Sequence, residues 1–225
     1  MNLKSLFPAD VIWGVAEAWM WEQPLCPDEE ALIARAVDKR KREFRAGRHC
    51  AHALLHQVGA NCDALLKGRQ REPAWPAGWV GSITHSGEQC VVAIASSRHY
   101  HSIGLDVEQA SPLGEDIRDL ICSPGEQDQI AKWQLLSGQD LASSALSKVI
   151  FSAKESVHKV YFPLNYHTLD FLDAQVELHP PTGGFVARIL RPEPAPQQPI
   201  HELQGRYLVA SDYVATFIGL RREAP

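Results

Sequence analysis

The chain has 225 residues, 45% hydrophobic and 22% charged, which is enough apolar material for a sizeable core and excludes a disordered tail protein. Twenty-two basic against 27 acidic residues leave a formal charge of −5, so there is no overall positive field for nucleic acid and any polyanion site must be local. Five cysteines without a CxxC pair argue against a zinc cage or a disulfide scaffold and fit a reducing cytosol.

From the N-terminus, Met1 to Ser5 is followed at once by Phe7-Pro8-Ala9-Asp10, without the basic segment and apolar run of a signal peptide. Val11 to Ala18 reads as a first strand. The apolar stretch Val11 to Trp21 contains Glu17 and is too short to span a bilayer, so a soluble cytoplasmic protein with no membrane span is expected. Pro27 with Asp28, Glu29 and Glu30 opens a helix, because proline suits the first turn and carboxylates oppose the positive helix end. A second helix is predicted from about Asp38 to Val58, stopped by Gly59. Phe44, Ala51, Leu54, Leu55 and Val58 fall on one side, while Lys39, Arg40, Lys41, Arg42, Arg45 and Arg48 crowd the start and the other faces, so the basic end is expected to face solvent.

The Pro/Gly-punctuated stretch Gly68 to Gly78 reads as a loop. Strands are predicted at 79–84, 89–96 and 102–108, the last two joined by the polar turn from Ser96 to His99. Ser123-Pro124-Gly125-Glu126 forms a capping box, so a helix should run to about Leu136. Asp140 opens another, predicted to end before Pro163. From Thr168 to Leu220 strands alternate, broken at Pro180-Pro181, at Gly183-Gly184 and by a proline-rich loop from Arg191 to Pro199. This order predicts an α+β protein of two similar-sized halves meeting near residues 105–115.

In the predicted strand Ile103 to Glu108, Asp106 and Glu108 share one face, because the side-chain period is two. Such close carboxylates repel unless a proton or cation lies between them, and hard oxygen ligands favour Mg²⁺; a solvated strand face is the plainer reading. In Phe151 to Lys159, Glu155 and Lys159 are four apart, as are Lys154 and His158, which spacing alone explains as exposed helix pairs. A further carboxylate to complete the Asp106 and Glu108 set, with two lysines to meet phosphate, points instead to chemistry. His85 lies among hydroxyls and glycines at a strand end, where it is a satisfied turn residue or a phosphate contact; Ser86 lacks the glycines of a hydrolase elbow. Arg48, with Arg45, Arg69 and Arg71, supplies a local cationic patch, which charge runs on solvated faces also produce. Common nucleotide-binding and metalloprotease signatures are absent.

Taken in order, REFRAGRHCAHALL (42–55), REPAWPAGWVGSITHS (71–86), IGLDVE (103–108) and FSAKESVHK (151–159) resemble the 4′-phosphopantetheinyl transferases, with the closest likeness to the enterobactin-synthetase-associated branch. The resemblance covers most of residues 8–162. It implies transfer of phosphopantetheine from coenzyme A to a serine of an apo acyl or peptidyl carrier protein, with release of adenosine 3′,5′-bisphosphate. The pathways it implies are siderophore (enterobactin), fatty-acid, polyketide or non-ribosomal peptide synthesis. On the matching residues it implies Asp106, Glu108 and Glu155 as Mg²⁺ carboxylates, Glu155 also as base, and Asp106, Glu155 and Lys159 as the catalytic set. Lys154 and Lys159, with Lys159 near the pyrophosphate, join His85, Thr84, Arg48, Arg69 and Arg71 as coenzyme A contacts. Thr84 stands where many members have serine.

The family's fold is a pseudo-twofold pair of α+β subdomains with the ligand in a cleft between them. That implies an N-terminal subdomain over 1–105, carrying His85 and the nucleotide end, and a C-terminal subdomain over 106–225 carrying the metal carboxylates. A monomer that binds no nucleic acid is expected. The competing readings are a Mg²⁺-dependent hydrolase of the coenzyme A pyrophosphate and a binding module for coenzyme A or carrier without turnover. Carrier docking is expected on residues 112–136, where Ile117, Leu120, Ile121, Ile130 and Trp133 exceed one core stripe, on a patch that also carries positive charge.

Overall fold

The computed structural model describes residues 1–70, 72–137, 145–194 and 196–223. It is a mixed α+β structure with a three-stranded and a five-stranded sheet, and its contacts divide it into two compact units.

The first unit is Ala9–Ile103, joined by the chain end from Arg221. Its strands β1 (Val11–Val15), β2 (Trp79–Ser86) and β3 (Gln89–Ser96) form an antiparallel sheet in the order β1-β3-β2. β1 is shorter than expected, because the chain turns at Glu17 into a 3₁₀ turn over Ala18–Trp21 that buries Met20 and Trp21. After the short α1 (Pro27–Ala31), helix α2 (Asp38–Gln57) ends where Gly59, at φ 71, takes the left-handed conformation that glycine adopts freely. Cys50, Ala51, Leu54 and Leu55 of α2 pack on Val92 and Ile94 of β3. The expectation that the basic positions of α2 face solvent fails at Arg48, which is 4% exposed: the 3.6-residue period carries it on from Arg40 and Phe44 into the packed side of the helix.

The second unit is Gly104–Leu220 with Met1–Pro8. The opening residues belong here because Leu3, Leu6 and Phe7 are buried, Phe7 meeting the Phe217 ring edge-on at 5.1 Å. Strand β4 (Tyr100–Gln109) enters this unit at Gly104 and is followed by α3 (Glu115–Ile121), α4 (Pro124–Ser137) and α5 (Leu146–Asn165). Strands β5 (Ala174–His179), β6 (Gly184–Ile189), β7 (Glu202–Val209) and β8 (Tyr213–Arg221) complete a sheet of order β4-β8-β7-β6-β5. The capping box of α4 forms as the sequence implies, with the Ser123 N–H donating to Glu126 Oε2 at 2.7 Å. Asp140, expected to open α5, lies outside the described residues.

Helix α5 also runs past its expected stop, with Pro163 inside it. The proline falls in the last turn, so it removes one bond near the helix end, to the Lys159 carbonyl, and no later turn depends on it; Tyr166 closes the helix by donating its N–H to the Phe162 carbonyl at 2.7 Å. The outer edge of β5 is covered by α4 side chains: Glu126 accepts from the Val176 N–H, and Gln129 donates to the Val176 carbonyl. An edge satisfied in this way offers no template for another strand.

Candidate functional site

The chemistry-bearing residues of the second unit meet where β4 faces α5. Ile103, Leu105 and Val107 are at most 1% exposed, and the strand pleat turns Gly104, Asp106 and Glu108 to the opposite face from them. A side chain at Gly104 would fall on the carbonyl oxygen of Ser156; glycine there lets α5 lie directly against the strand. Ser152 and Ser156 seat the same helix on β8, both hydroxyls meeting Thr216 Oγ1, at 2.9 and 2.7 Å. This seam is buried and was not anticipated from the sequence.

Close packing excludes the solvated reading for Asp106, while Glu108 and Glu155 are half-buried. Asp106 is 4% exposed, and Lys159 donates to Asp106 Oδ1 at 2.8 Å and to the Leu105 carbonyl at 2.9 Å. Burial, then the charge of Asp106, pushes the Glu108 carboxyl up to about 6, with Lys148 and Lys159 opposing. Burial and Asp106 likewise raise Glu155, against Lys159. The four acidic and basic side chains are therefore one electrostatic cluster. Lys148 joins it seven residues before Glu155, two helical turns along the same face; the sequence reading missed it, although that spacing was available.

Among the described residues no three His, Cys, Asp or Glu side chains are gathered into a ready metal cage. The chemistry of the donor set suits Mg²⁺ nonetheless: Asp106, Glu108 and Glu155 offer only oxygen, and their mutual repulsion is what a hard dication relieves.

Beside this cluster lies a cavity of about 340 Å³ lined by Glu155, His158, Val157, Leu169 and Phe171 among others. Burial and the neighbouring Lys159 push the His158 imidazolium toward its neutral form. Lys154 lines the cavity too, but its expected role as a phosphate ligand is not what the structure provides. Its side chain is 2% exposed and its ammonium donates to Ile121 O, Glu126 Oε2 and Phe171 O at 2.7–2.8 Å. All three of its protons are committed to protein acceptors.

In the first unit, α2 and β2 carry the other predicted residues. Arg48 stacks its guanidinium over Phe44 at 4.6 Å, and its Nε lies 3.9 Å from Glu29 Oε1 without a hydrogen-bond acceptor among the described residues. Burial lowers its pKa to about 10. Glu29 is itself 1% exposed and accepts from His52 and from the Leu65 N–H, at 2.9 and 3.0 Å. Arg40 lies 2.8 Å from His85 Nε2; a guanidinium only donates, so that nitrogen accepts and the imidazole proton is on Nδ1. Glu43 stands 3.7 Å from the same nitrogen.

Arg40, Glu43 and Glu29 were not singled out from the sequence. Thr84 is 3% exposed, and strand alternation turns its hydroxyl to the opposite face from His85. Arg69 is exposed on its loop, and Arg71 lies outside the described residues.

The docking expectation is divided by the fold. Ile117 and Leu120 are 52% and 70% exposed, whereas Ile121 and Ile130 are buried and Trp133 packs partly against the core. On α3 the exposed acids Glu115, Asp116 and Asp119 outnumber the one base, half-buried Arg118, and exposed Lys132 on α4 adds a second positive charge to the expected stretch.

Residues 28–95 match the family model of the 4′-phosphopantetheinyl transferase N-terminal domain, and residues 102–218 that of the 4′-phosphopantetheinyl transferase superfamily. The chain is similar to 4′-phosphopantetheinyl transferase Svp of Streptomyces mobaraensis, 34% identical over 99% of this chain and 90% of that one. It is similar to 4′-phosphopantetheinyl transferase PptT of Mycobacterium tuberculosis, 34% identical over 97% of each. Enterobactin synthase component D of Escherichia coli K12 is 33% identical over 57% of this chain and 58% of its own length.

Proposed function

The chain belongs to the 4′-phosphopantetheinyl transferase superfamily, and on that premise we propose how its own side chains carry the transfer of phosphopantetheine from coenzyme A to an apo acyl or peptidyl carrier protein. The observation that carries the proposal is Glu155: a half-buried carboxylate with a raised pKa, at the wall of a cavity and in electrostatic contact with Asp106 and Lys159. A base poised above the ordinary carboxylate range is suited to taking a proton from a hydroxyl.

In the proposed reaction the carrier serine oxygen attacks the β-phosphorus of coenzyme A as its proton passes to Glu155. The bond from that phosphorus to the bridging oxygen breaks, and the electron pair leaves with adenosine 3′,5′-bisphosphate. Lys159, held at Asp106, offers an ammonium to the pyrophosphate oxygens as negative charge develops. Asp106, Glu108 and Glu155 would hold Mg²⁺, which when bound neutralises pyrophosphate charge. The cavity, with Val157, Leu169 and Phe171 on its lining, suits the part-apolar pantetheine arm.

Arg48 is proposed to meet a coenzyme A phosphate, since a buried guanidinium whose Nε has no acceptor among the described residues gains from an anion. His85 and Arg40 offer a second donor pair for phosphate on the same unit. The five cysteines are thiols and no helix among the described residues is long and apolar enough to cross a membrane; we place the protein in the reducing cytoplasm. We propose a monomer.

The test is to incubate the protein with coenzyme A, Mg²⁺ and a panel of apo carriers and to weigh the products. A phosphopantetheine mass gain on a carrier, lost with chelator, is expected. Cleavage of coenzyme A without an acceptor would replace transfer with hydrolysis.

A further inference from the structure

Lys154 is a buried cation that the proposed transfer leaves unused. Its three donors hold the Ile121 carbonyl, Glu126 Oε2 and the Phe171 carbonyl at 2.7, 2.8 and 2.8 Å. Glu126 is 0% exposed and equally committed, accepting from the Ser123 and Val176 N–H groups at 2.7 Å each. Together they join the end of α3, the cap of α4, α5, the turn at Phe171 and β5. A buried ion pair adds little net stability over an apolar pair of the same shape, so stability alone is a weak account of this one.

The placement suggests what it does. Phe171, whose carbonyl Lys154 holds, belongs to the stretch Thr168–Ala174 that lines the cavity shared with Glu155 and His158. Asp170 and Asp173 fold that stretch into a tight turn, the Asp173 N–H donating to the Asp170 carbonyl and the Asp170 N–H to Asp173 Oδ2, each at 2.9 Å. Lys154 ties the turn to α5 one residue before Glu155. We propose that Lys154, braced by Glu126, is a positioning residue that fixes the Thr168–Ala174 wall relative to Glu155, so that the chain seated in the cavity meets the base in register.

The inference rests on the transferase reading, and two variants test it apart from that reading. Lys154→Met/Glu126→Gln removes both charges at once, so no uncompensated ion is left buried. Lys154→Arg keeps the charge but presents a rigid fork in place of three divergent donors. For either folded variant kcat should fall about tenfold or more, since a small misplacement at the base is costly. The Kd for adenosine 3′,5′-bisphosphate, read by calorimetry, should stay within about twofold, and amide exchange over 168–174 should accelerate.

Weakened binding of the bisphosphate would make Lys154 a phosphate ligand and overturn the inference, as would unchanged kcat or unchanged exchange in that wall. Should the unaltered protein modify no carrier, the transferase reading falls, while the exchange measurement still decides whether Lys154 holds the wall.

Discussion

Lys159 donates to Asp106 Oδ1 at 2.8 Å and to the neighbouring Leu105 carbonyl at 2.9 Å, binding α5 to β4 through a side chain that is itself proposed to act on substrate. The ammonium is thereby oriented by the same strand that supplies two of the carboxylates. If it works in that orientation, the two residues form one unit. Lys159→Ala and Asp106→Ala should each lower kcat by about 10²-fold or more, the scale seen when a donor to developing charge is removed. The double variant should be little worse than the poorer single one. A fully additive double loss, measured under the same saturating coenzyme A, would show that they act independently.

Gly104 makes a sharper structural prediction. An added Cβ would meet the Ser156 carbonyl oxygen, which is backbone and cannot swing aside, and would also crowd Val160. Gly104→Ala should cost about 1–3 kcal/mol, as overpacking does, and should lower turnover by lifting Glu155 and Lys159 away from Asp106. Gly114→Ala, where nothing lies within 4 Å, is the matched control in thermal melts. Equal melting temperatures for the two variants would contradict the packing argument.

The contrast between these positions shows what sequence pattern carries. Period two was enough to put Asp106 and Glu108 on one face, and the Ser123 and Glu126 spacing was enough to start α4, because both rules are local. Lys154 and Glu29 were misjudged or missed for the opposite reason. A lysine before a glutamate on a helix, or an acid in a first turn, looks solvent-facing until partners far along the chain are placed. Glu126 lies 28 residues from Lys154, and Leu65 lies 36 from Glu29. Arg48 was buried by the fold although Lys39, Arg40 and Arg42, earlier on the same helix, are exposed. Pro163 misled because a proline stops a helix interior but is tolerated in a final turn closed from beyond it.

A pH dependence follows from the ion pair that joins α1 to α2. Arg45 donates twice to Glu30, at 2.8 Å each, and holds its carboxyl down from 4.5 to about 2. Because the folded pKa is the lower one, the stabilisation is fully present above pH 4.5 and is lost as pH falls toward 2. The pair is partly solvent-exposed, so its worth is about 1 kcal/mol after screening. Glu30→Gln should therefore lower the melting temperature at pH 7 but make little difference near pH 2. The same deficit at both ends of that range would exclude this pair as its source.

On α3, Leu120 is 70% exposed, and replacing it should leave the fold intact. If the Ile117 and Leu120 face meets the carrier, Leu120→Glu should raise KM for the carrier with the Kd for coenzyme A unchanged. Asp119→Lys, which removes one of the acids beside it, should lower that KM for an acidic carrier. Normal carrier kinetics in both variants would move docking away from α3.

At Arg48 stability and function can be measured on one variant. Its guanidinium is buried over Phe44, carries a pKa lowered to about 10 by desolvation, and has Glu29 at 3.9 Å as its nearest counter-charge. Glu29 keeps its bonds to His52 and the Leu65 N–H without it. Arg48→Met fills similar space but takes the nearest guanidinium from the buried Glu29 carboxylate, so the folded unit should lose some stability, limited by the two bonds Glu29 keeps. Coenzyme A should bind about 10- to 100-fold more weakly, the equivalent of one lost charge-assisted hydrogen bond at about 1.5–3 kcal/mol. Calorimetry with coenzyme A and with dephospho-coenzyme A then locates the contact: a loss confined to coenzyme A places Arg48 at the 3′-phosphate, and an equal loss on both places it at the pyrophosphate. Retained affinity for both ligands in a well-folded Arg48→Met protein would show that the buried guanidinium serves the packing of α2 and not the substrate.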